Sequence, residues 1–214
     1  MKGFDYSKVH EETKLYDKLR PIGIKYLNSK YELNYVGLEN IPDEGGFILA
    51  SNHVIAIDPL FLANGLKKRQ IHFMGKKELF EKPIISKFFK KINGFPIVRG
   101  GADKDALDYA GRVVKEGYVL GIFPEGTRSK DFKPAKAKSG IGVIAREAKA
   151  NILPVSIYNE DEMKKGSKVT IRFGELIPYE NLGFTEESTR EEVRNCAKIV
   201  MDEIVKLWGM GHCE

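Results

Sequence analysis

Apolar residues along the chain follow two rhythms: short unbroken runs, and longer stretches in which they recur every three or four positions. The runs predict strands buried on both faces, and the recurring pattern predicts amphipathic helices. Tyr31–Gly37 is a first strand, Asp43-Glu44-Gly45-Gly46 a turn, and Phe47-Ile48-Leu49-Ala50 a buried strand that runs into Ser51-Asn52-His53. Asp58-Pro59 then opens a helix, since Asp is favoured at the N-cap and Pro at the first helical position. Ile71–Met74 is a further strand, Glu78 to Lys91 a basic helical stretch, and Gly94–Arg99 extended. A helix over Asp103–Glu116 stops at Gly117, and Tyr118–Phe123 is a buried strand entering the turn Pro124-Glu125-Gly126. Gly140–Ala148 is a helix rich in small residues, with strands at Ile152–Tyr158 and Lys168–Phe173. Ser188 and Glu191 form a capping-box pattern ahead of Val193, Ala197, Val200, Ile204 and Leu207, which recur at helical spacing before Gly209. Strands alternating with helices in this way predict an α/β fold, with a mixed, mostly parallel sheet flanked by helices. The chain divides into an N-terminal helical appendage (1–30) and a single domain (31–214).

The appendage pattern is weaker. Tyr6, Val9, Tyr16 and Leu19 share a helical face, and Ile22, Ile24, Tyr26 and Leu27 follow Pro21, which predicts a pair of helices split at the proline. Such a pair suits a bilayer surface as well as it suits packing on the domain. No run approaches the roughly 18 apolar residues of a spanning helix, and no apolar signal core stands at the N-terminus, so a soluble or peripheral chain is expected. The 35 Lys and Arg exceed the 30 Asp and Glu by five, which favours anionic partners without selecting one. Cys196 lies within a predicted helix and Cys213 in the tail, which argues against a disulfide framework and fits a reducing cytoplasm; neither has the spacing of a metal site.

Three strand ends deliver polar residues where α/β folds gather ligands: Asn52-His53 to Asp58, Gly94 to Arg99, and Phe123 to Ser129. A tight loop can join the His53 imidazole to the Asp58 carboxylate, fixing the ring tautomer and raising the basicity of the other nitrogen, as abstraction of a hydroxyl proton requires. A structural histidine beside an N-capping Asp58 explains the same two residues, and the pair alone leaves both readings open. No Ser or Cys stands nearby in a nucleophile-elbow pattern, so acyl transfer at such a site is direct, with the acceptor hydroxyl as nucleophile. In the turn, Gly126 lets backbone amides approach an anion, Arg128 offers a planar fork for phosphate oxygens, and Thr127 and Ser129 add hydroxyls. Arg99 is the candidate to converge on the same ligand, while Glu125 calls for an arginine or a sugar-like hydroxyl as its partner.

These blocks, in this order, resemble the glycerolipid acyltransferase family, in particular the bacterial 1-acylglycerol-3-phosphate (lysophosphatidic acid) acyltransferases. Asn52-His53-Val54-Ile55-Ala56-Ile57-Asp58 is similar to the family's N-H-x-S-x-x-D, Phe123 to Ser129 matches F-P-E-G-T-R-S without change, and Gly94–Arg99 and Ile152-Leu153-Pro154-Val155 resemble two further motifs. The resemblance implies His53 as general base with Asp58 orienting it, and Arg99, Glu125, Gly126, Thr127 and Arg128 binding the phosphate and glycerol of the acceptor. It implies an acyl-CoA or acyl-carrier-protein thioester as co-substrate, and neither metal nor cofactor. Partners are then a lysophospholipid, the acyl donor and a membrane surface, at the cytoplasmic inner face of the cell membrane, reached by a basic run from Lys67, Lys68 and Arg69 through Lys76, Lys77, Lys82, Lys87, Lys90 and Lys91. Nucleic acid is not expected, because the basic residues are not interleaved with aromatics in any such module. Ile55 departs from the family's serine and puts one hydrogen bond in question. The same chemistry on another lysophospholipid or on glycerol-3-phosphate, and a non-catalytic lipid- or carrier-binding protein of this fold, remain alternatives.

Overall fold

Phe47–Ser51 (β2) is buried at all five positions, as a strand covered on both faces must be. Its alternate residues serve two cores in the computed structural model, which describes residues 4–98, 103–187 and 189–212. Ile48 and Ala50 face one helical layer; Phe47 and Leu49 face the other. Around β2 lie β1 (Glu32–Val36), β3 (Ile71–Lys76), β4 (Gly94–Ile97), β5 (Val119–Ile122), β6 (Ile152–Tyr158) and β7 (Lys168–Phe173), in the sheet order β1-β7-β6-β2-β5-β3-β4. Every neighbouring pair is parallel except β6 with β7. The mixed, mostly parallel sheet expected from the alternating pattern is therefore present.

One core is closed by α4 (Lys104–Lys115), α5 (Gly140–Ala148) and α6 (Arg190–Gly209), which contribute Tyr109, Val113, Ile144, Val200 and Ile204 among others. The small residues of α5 have a packing reason: a Cβ on Gly142 would stand 2.2 Å from the Val193 carbonyl oxygen, so α6 can approach this closely only against glycine. The opposite core is closed by α1 (Lys14–Asn28) and α2 (Asp58–Gly65), through Tyr16, Leu27, Phe61 and Leu62. α3 (Pro83–Lys91) has no buried residue and lies at the sheet margin near β4.

Several expectations shift. The N-terminal pair is one helix, since α1 runs through Pro21, held on both sides of the proline by the buried Tyr16 and Leu27. Residues 5–13 are not helical; their backbone is bound by distant groups instead, with His10 N–H donating to the Tyr109 hydroxyl and Thr13 N–H to Gln70 Oε1. The stretch from Glu78 to Lys91 is broken, a short 3-10 turn at Lys77–Phe80 preceding α3, because Pro83 can begin a helix but not continue one. The capping box of α6 is Thr189 with Glu192, one residue later than expected: Thr189 Oγ1 accepts from Glu192 N–H and Glu192 Oε2 from Thr189 N–H. Ser188 lies outside the described residues. Among the described residues, no helix is long and apolar enough to cross a membrane.

Candidate active site

Because β2, β3, β4 and β5 are mutually parallel, their C-terminal ends open on one edge of the sheet, the usual location of ligands in such folds. β2 delivers Asn52 and His53 there, and β5 delivers Phe123 to Ser129. Asn52 is a clamp between strands: its amide accepts from Ile157 N–H at 2.8 Å and donates to Ile157 O at 3.0 Å, which stops β2 and turns the chain.

His53 Nδ1 lies 2.7 Å from Asp58 Oδ2. The same oxygen accepts the backbone N–H groups of Val54 at 2.6 Å and Ile55 at 3.0 Å. Asp58 is thus not the N-cap of α2: it is the first helical residue, Ile57 takes the cap, and the carboxylate turns back to close the loop around the histidine. The bond from Ile55 comes from its main chain, so the absence of a serine there leaves the grip on Asp58 intact; the Ile55 side chain packs into the core beneath. Asp58 is wholly buried. Burial pushes its carboxyl above the ordinary value, while the hydrogen bond and charge of His53 and the two amides pull it back. With Nδ1–H committed to Asp58, the lone pair of His53 is on Nε2. The ring stacks on Phe123 at 4.1 Å between centroids, which fixes its plane.

The second strand end braces the first. Glu125 Oε1 accepts from His53 N–H at 3.2 Å, and Ser129 N–H donates to His53 O at 2.8 Å, so the turn holds the histidine backbone on both sides. Glu125 is buried, which raises its carboxyl above the ordinary value against the pull of backbone amides at His53 and Ala135. Its Oε2 has no hydrogen-bond partner among the described residues. Gly126 takes φ +69°, the left-handed conformation glycine supplies most readily.

His53 opens into a groove of about 400 Å³ whose wall combines Met74, Leu107, Ile122, Ile141 and Ile144 with Gly126, Lys138 and Ser139. Of the residues singled out in the sequence, His53 and Gly126 line this groove, and Asp58 and Glu125 stand behind His53. Thr127 and Arg128 are exposed on the turn, and Arg99 lies outside the described residues. Sequence alone does not single out Lys138, since a lysine in Lys136-Ala137-Lys138 carries no signal until the fold sets it against Gly126; nor does it show that Phe123 stacks on His53. Among the described residues no group of three or more His, Cys, Asp or Glu could hold a metal ion.

A histidine bound to a buried aspartate and set in a largely apolar groove has the features of a direct acyltransferase site. A family model described as Acyltransferase matches residues 32–158, and the chain belongs to that family. It is 32% identical over 172 residues to the 1-acyl-sn-glycerol-3-phosphate acyltransferase of Bacillus subtilis (strain 168), an alignment covering 79% of this chain and 84% of the relative. The enzyme of the same name from Streptococcus pneumoniae is 30% identical, with 82% of this chain and 68% of that one covered. Among solved structures, the 1-acyl-sn-glycerophosphate (LPA) acyltransferase PlsC of Thermotoga maritima superposes with a TM-score of 0.70 at 26% identity, over 94% of this chain and 81% of that one.

Proposed function

We propose that this protein transfers a fatty acyl group from an acyl thioester to the free hydroxyl of 1-acylglycerol-3-phosphate, giving phosphatidic acid. The carrying observation is the 2.7 Å contact of His53 Nδ1 with the buried Asp58, which frees Nε2 toward an apolar groove. Nε2 takes the proton from the acceptor hydroxyl as its oxygen attacks the thioester carbonyl. The tetrahedral intermediate then collapses, the carbon–sulfur bond breaks, and the departing thiolate takes the proton from the imidazolium. Asp58 stabilises that imidazolium and keeps the ring oriented. Glu125, Gly126, Thr127, Arg128 and Arg99 serve the acceptor's glycerol and phosphate, and Glu125 also braces His53. The thioester, on CoA or on acyl carrier protein, is a co-substrate, and no cofactor enters these steps.

The acceptor resides in a bilayer, and two elements fit that surface. Ile22 on α1 is 64% exposed and Ile84 on α3 86% exposed, with Tyr26 and Phe88 also uncovered. Of the basic run, Lys76 and Lys77 stand at the C-terminal end of β3, the edge that holds His53, and Lys82 follows them just before α3; Lys67, Lys68 and Arg69 precede the N-terminal end of β3, and Lys90 and Lys91 stand at the end of α3 that leads back to the start of β4. The first group alone is suited to bring the groove to an anionic membrane, at the inner face of the cell membrane. The test is thiol release on mixing purified protein with acyl-CoA and 1-acylglycerol-3-phosphate, with the product identified by mass spectrometry. His53→Ala is expected to abolish turnover while retaining the fold; undiminished turnover in that variant removes the proposed base.

A further inference from the structure

Lys138 reaches the His53 groove from outside the motifs. Its backbone N–H donates to Pro124 O at 2.8 Å, which ties the segment before α5 to the turn after β5. Its side chain then lies over Gly126: a Cβ built there would stand 3.0 Å from Lys138 Cδ and 3.1 Å from Nζ. Gly126 therefore has two duties, a positive φ and room for the lysine. Asp103 also borders the groove, but its oxygens accept from Val98 N–H and Ala106 N–H at the start of α4. The Lys138 ammonium has no hydrogen-bond or ion-pair partner among the described residues.

We propose that Lys138 binds the phosphomonoester of the acceptor; this assignment rests on the acyl-transfer reading above. In 1-acylglycerol-3-phosphate the reacting hydroxyl is on C2 and the phosphate on C3, so only the C2–C3, C3–O and O–P bonds separate the hydroxyl-bearing carbon from phosphorus. A hydroxyl placed on His53 Nε2 brings its phosphate close to the turn that braces His53. The phosphates of a CoA or carrier-protein donor are a whole pantetheine arm away from the thioester carbonyl. The apolar part of the wall, Met74, Leu107, Ile122, Ile141 and Ile144, offers an alkyl chain what it needs and a phosphate nothing. Lysine suits the task as a compact charge on a flexible stem, exposed enough to enter the site hydrated and give up water on binding.

The experiment compares wild type, Lys138→Met and Lys138→Arg on 1-acylglycerol-3-phosphate and on 1-acylglycerol, with acyl-CoA and acyl-pantetheine as donors. Lys138→Met is expected to raise the KM for the phosphorylated acceptor by about 10- to 100-fold, the range for losing a hydrogen bond to a charged group. Lys138→Arg restores most of that loss, and the penalty disappears on 1-acylglycerol. An equal penalty on both acceptors overturns the assignment, as does a penalty that appears with acyl-CoA and vanishes with acyl-pantetheine. If wild type turns over no acceptor, the acyl-transfer reading fails, and the lysine is judged separately by equilibrium binding of 1-alkylglycerol-3-phosphate without donor. Unchanged binding in Lys138→Met then overturns it, and weaker binding of the same size supports it.

Discussion

Replacing Asp58 by Asn tests the site at its most buried point. The amide keeps the shape and can still accept from Val54 N–H and Ile55 N–H, but it removes the negative charge 2.7 Å from His53 Nδ1. In the transfer step the imidazole becomes cationic, and two charges about 4 Å apart at an effective dielectric of about 20 attract by about 4 kcal/mol. Losing that attraction in the transition state corresponds to about 10³-fold in rate. The new NH₂ takes the place of Asp58 Oδ1, a buried atom with no hydrogen-bond partner among the described residues, so about 1–3 kcal/mol of stability is lost as well. The assay is thiol release under saturating donor, run well below the Tm of the variant, with circular dichroism to check the fold. The expected outcome is a kcat lower by about 10³-fold with acceptor KM changed by less than about 3-fold, since the charge acts in the transition state more than on bound substrate. Combining the change with His53→Ala should add almost nothing, because an aspartate acting through a histidine has no task once the histidine is gone. A variant that keeps a tenth or more of the activity, or a double variant whose losses multiply, refutes the reasoning.

Glu125→Gln sets an NH₂ in place of a buried oxygen at a cost that does not vary with pH, and against it gives a gain in Tm at neutral pH: burial lifts the native carboxyl, so the folded chain holds that proton more tightly than the unfolded one and carries a penalty that grows as pH rises through the lifted value. The gain should fade as pH falls toward the ordinary carboxylate range, and a gain constant with pH contradicts the cause. Cys196 should resist alkylation in the native protein, its thiol pushed up to about 12 by burial, and react on unfolding; peptide mass spectrometry showing native labelling contradicts this. Ile84→Asp with Phe88→Asp should weaken co-sedimentation with anionic vesicles by about 10-fold or more, each exposed side chain being good for about 1.5–3 kcal/mol when buried. Equal sedimentation would remove α3 from the membrane face.

The elements that could be read from sequence are those whose environment is uniform along their length. α5, β6 and β7 fall at the expected residues, because each strand is buried at all but one end residue and the buried positions of α5, Ile141, Gly142, Ile144 and Ala145, recur at helical spacing. Where the deciding partner is far away in the chain, local pattern fails. Residues 5–13 look helical by spacing, yet Tyr109 and Gln70 supply what an intrahelical ladder otherwise would. The two overlapping patterns Ser188-x-x-Glu191 and Thr189-x-x-Glu192 are equivalent in sequence, and the choice between them is made by where α6 must start to seat Val193 and Ala197. In the site, the spacing of His53 and Asp58 was legible but not the manner of their contact, which depends on Asp58 being turned away from the capping position. The bracing role of Glu125 was equally hidden, since nothing local says that its carboxylate meets the main chain of a residue from another strand.

β1, formed early in the chain, pairs in parallel with β7, formed late, and β7 in turn runs antiparallel to β6. During synthesis β1 has no hydrogen-bonding neighbour until residues 168–173 have left the ribosome. Such late closure between sequence-distant strands slows folding and leaves an open strand edge available to other nascent chains. α6 follows β7 and buries Val200 and Ile204 against the sheet, so the core is sealed only after the last strand has been made. Truncation that removes α6 should therefore yield aggregation rather than a smaller folded enzyme.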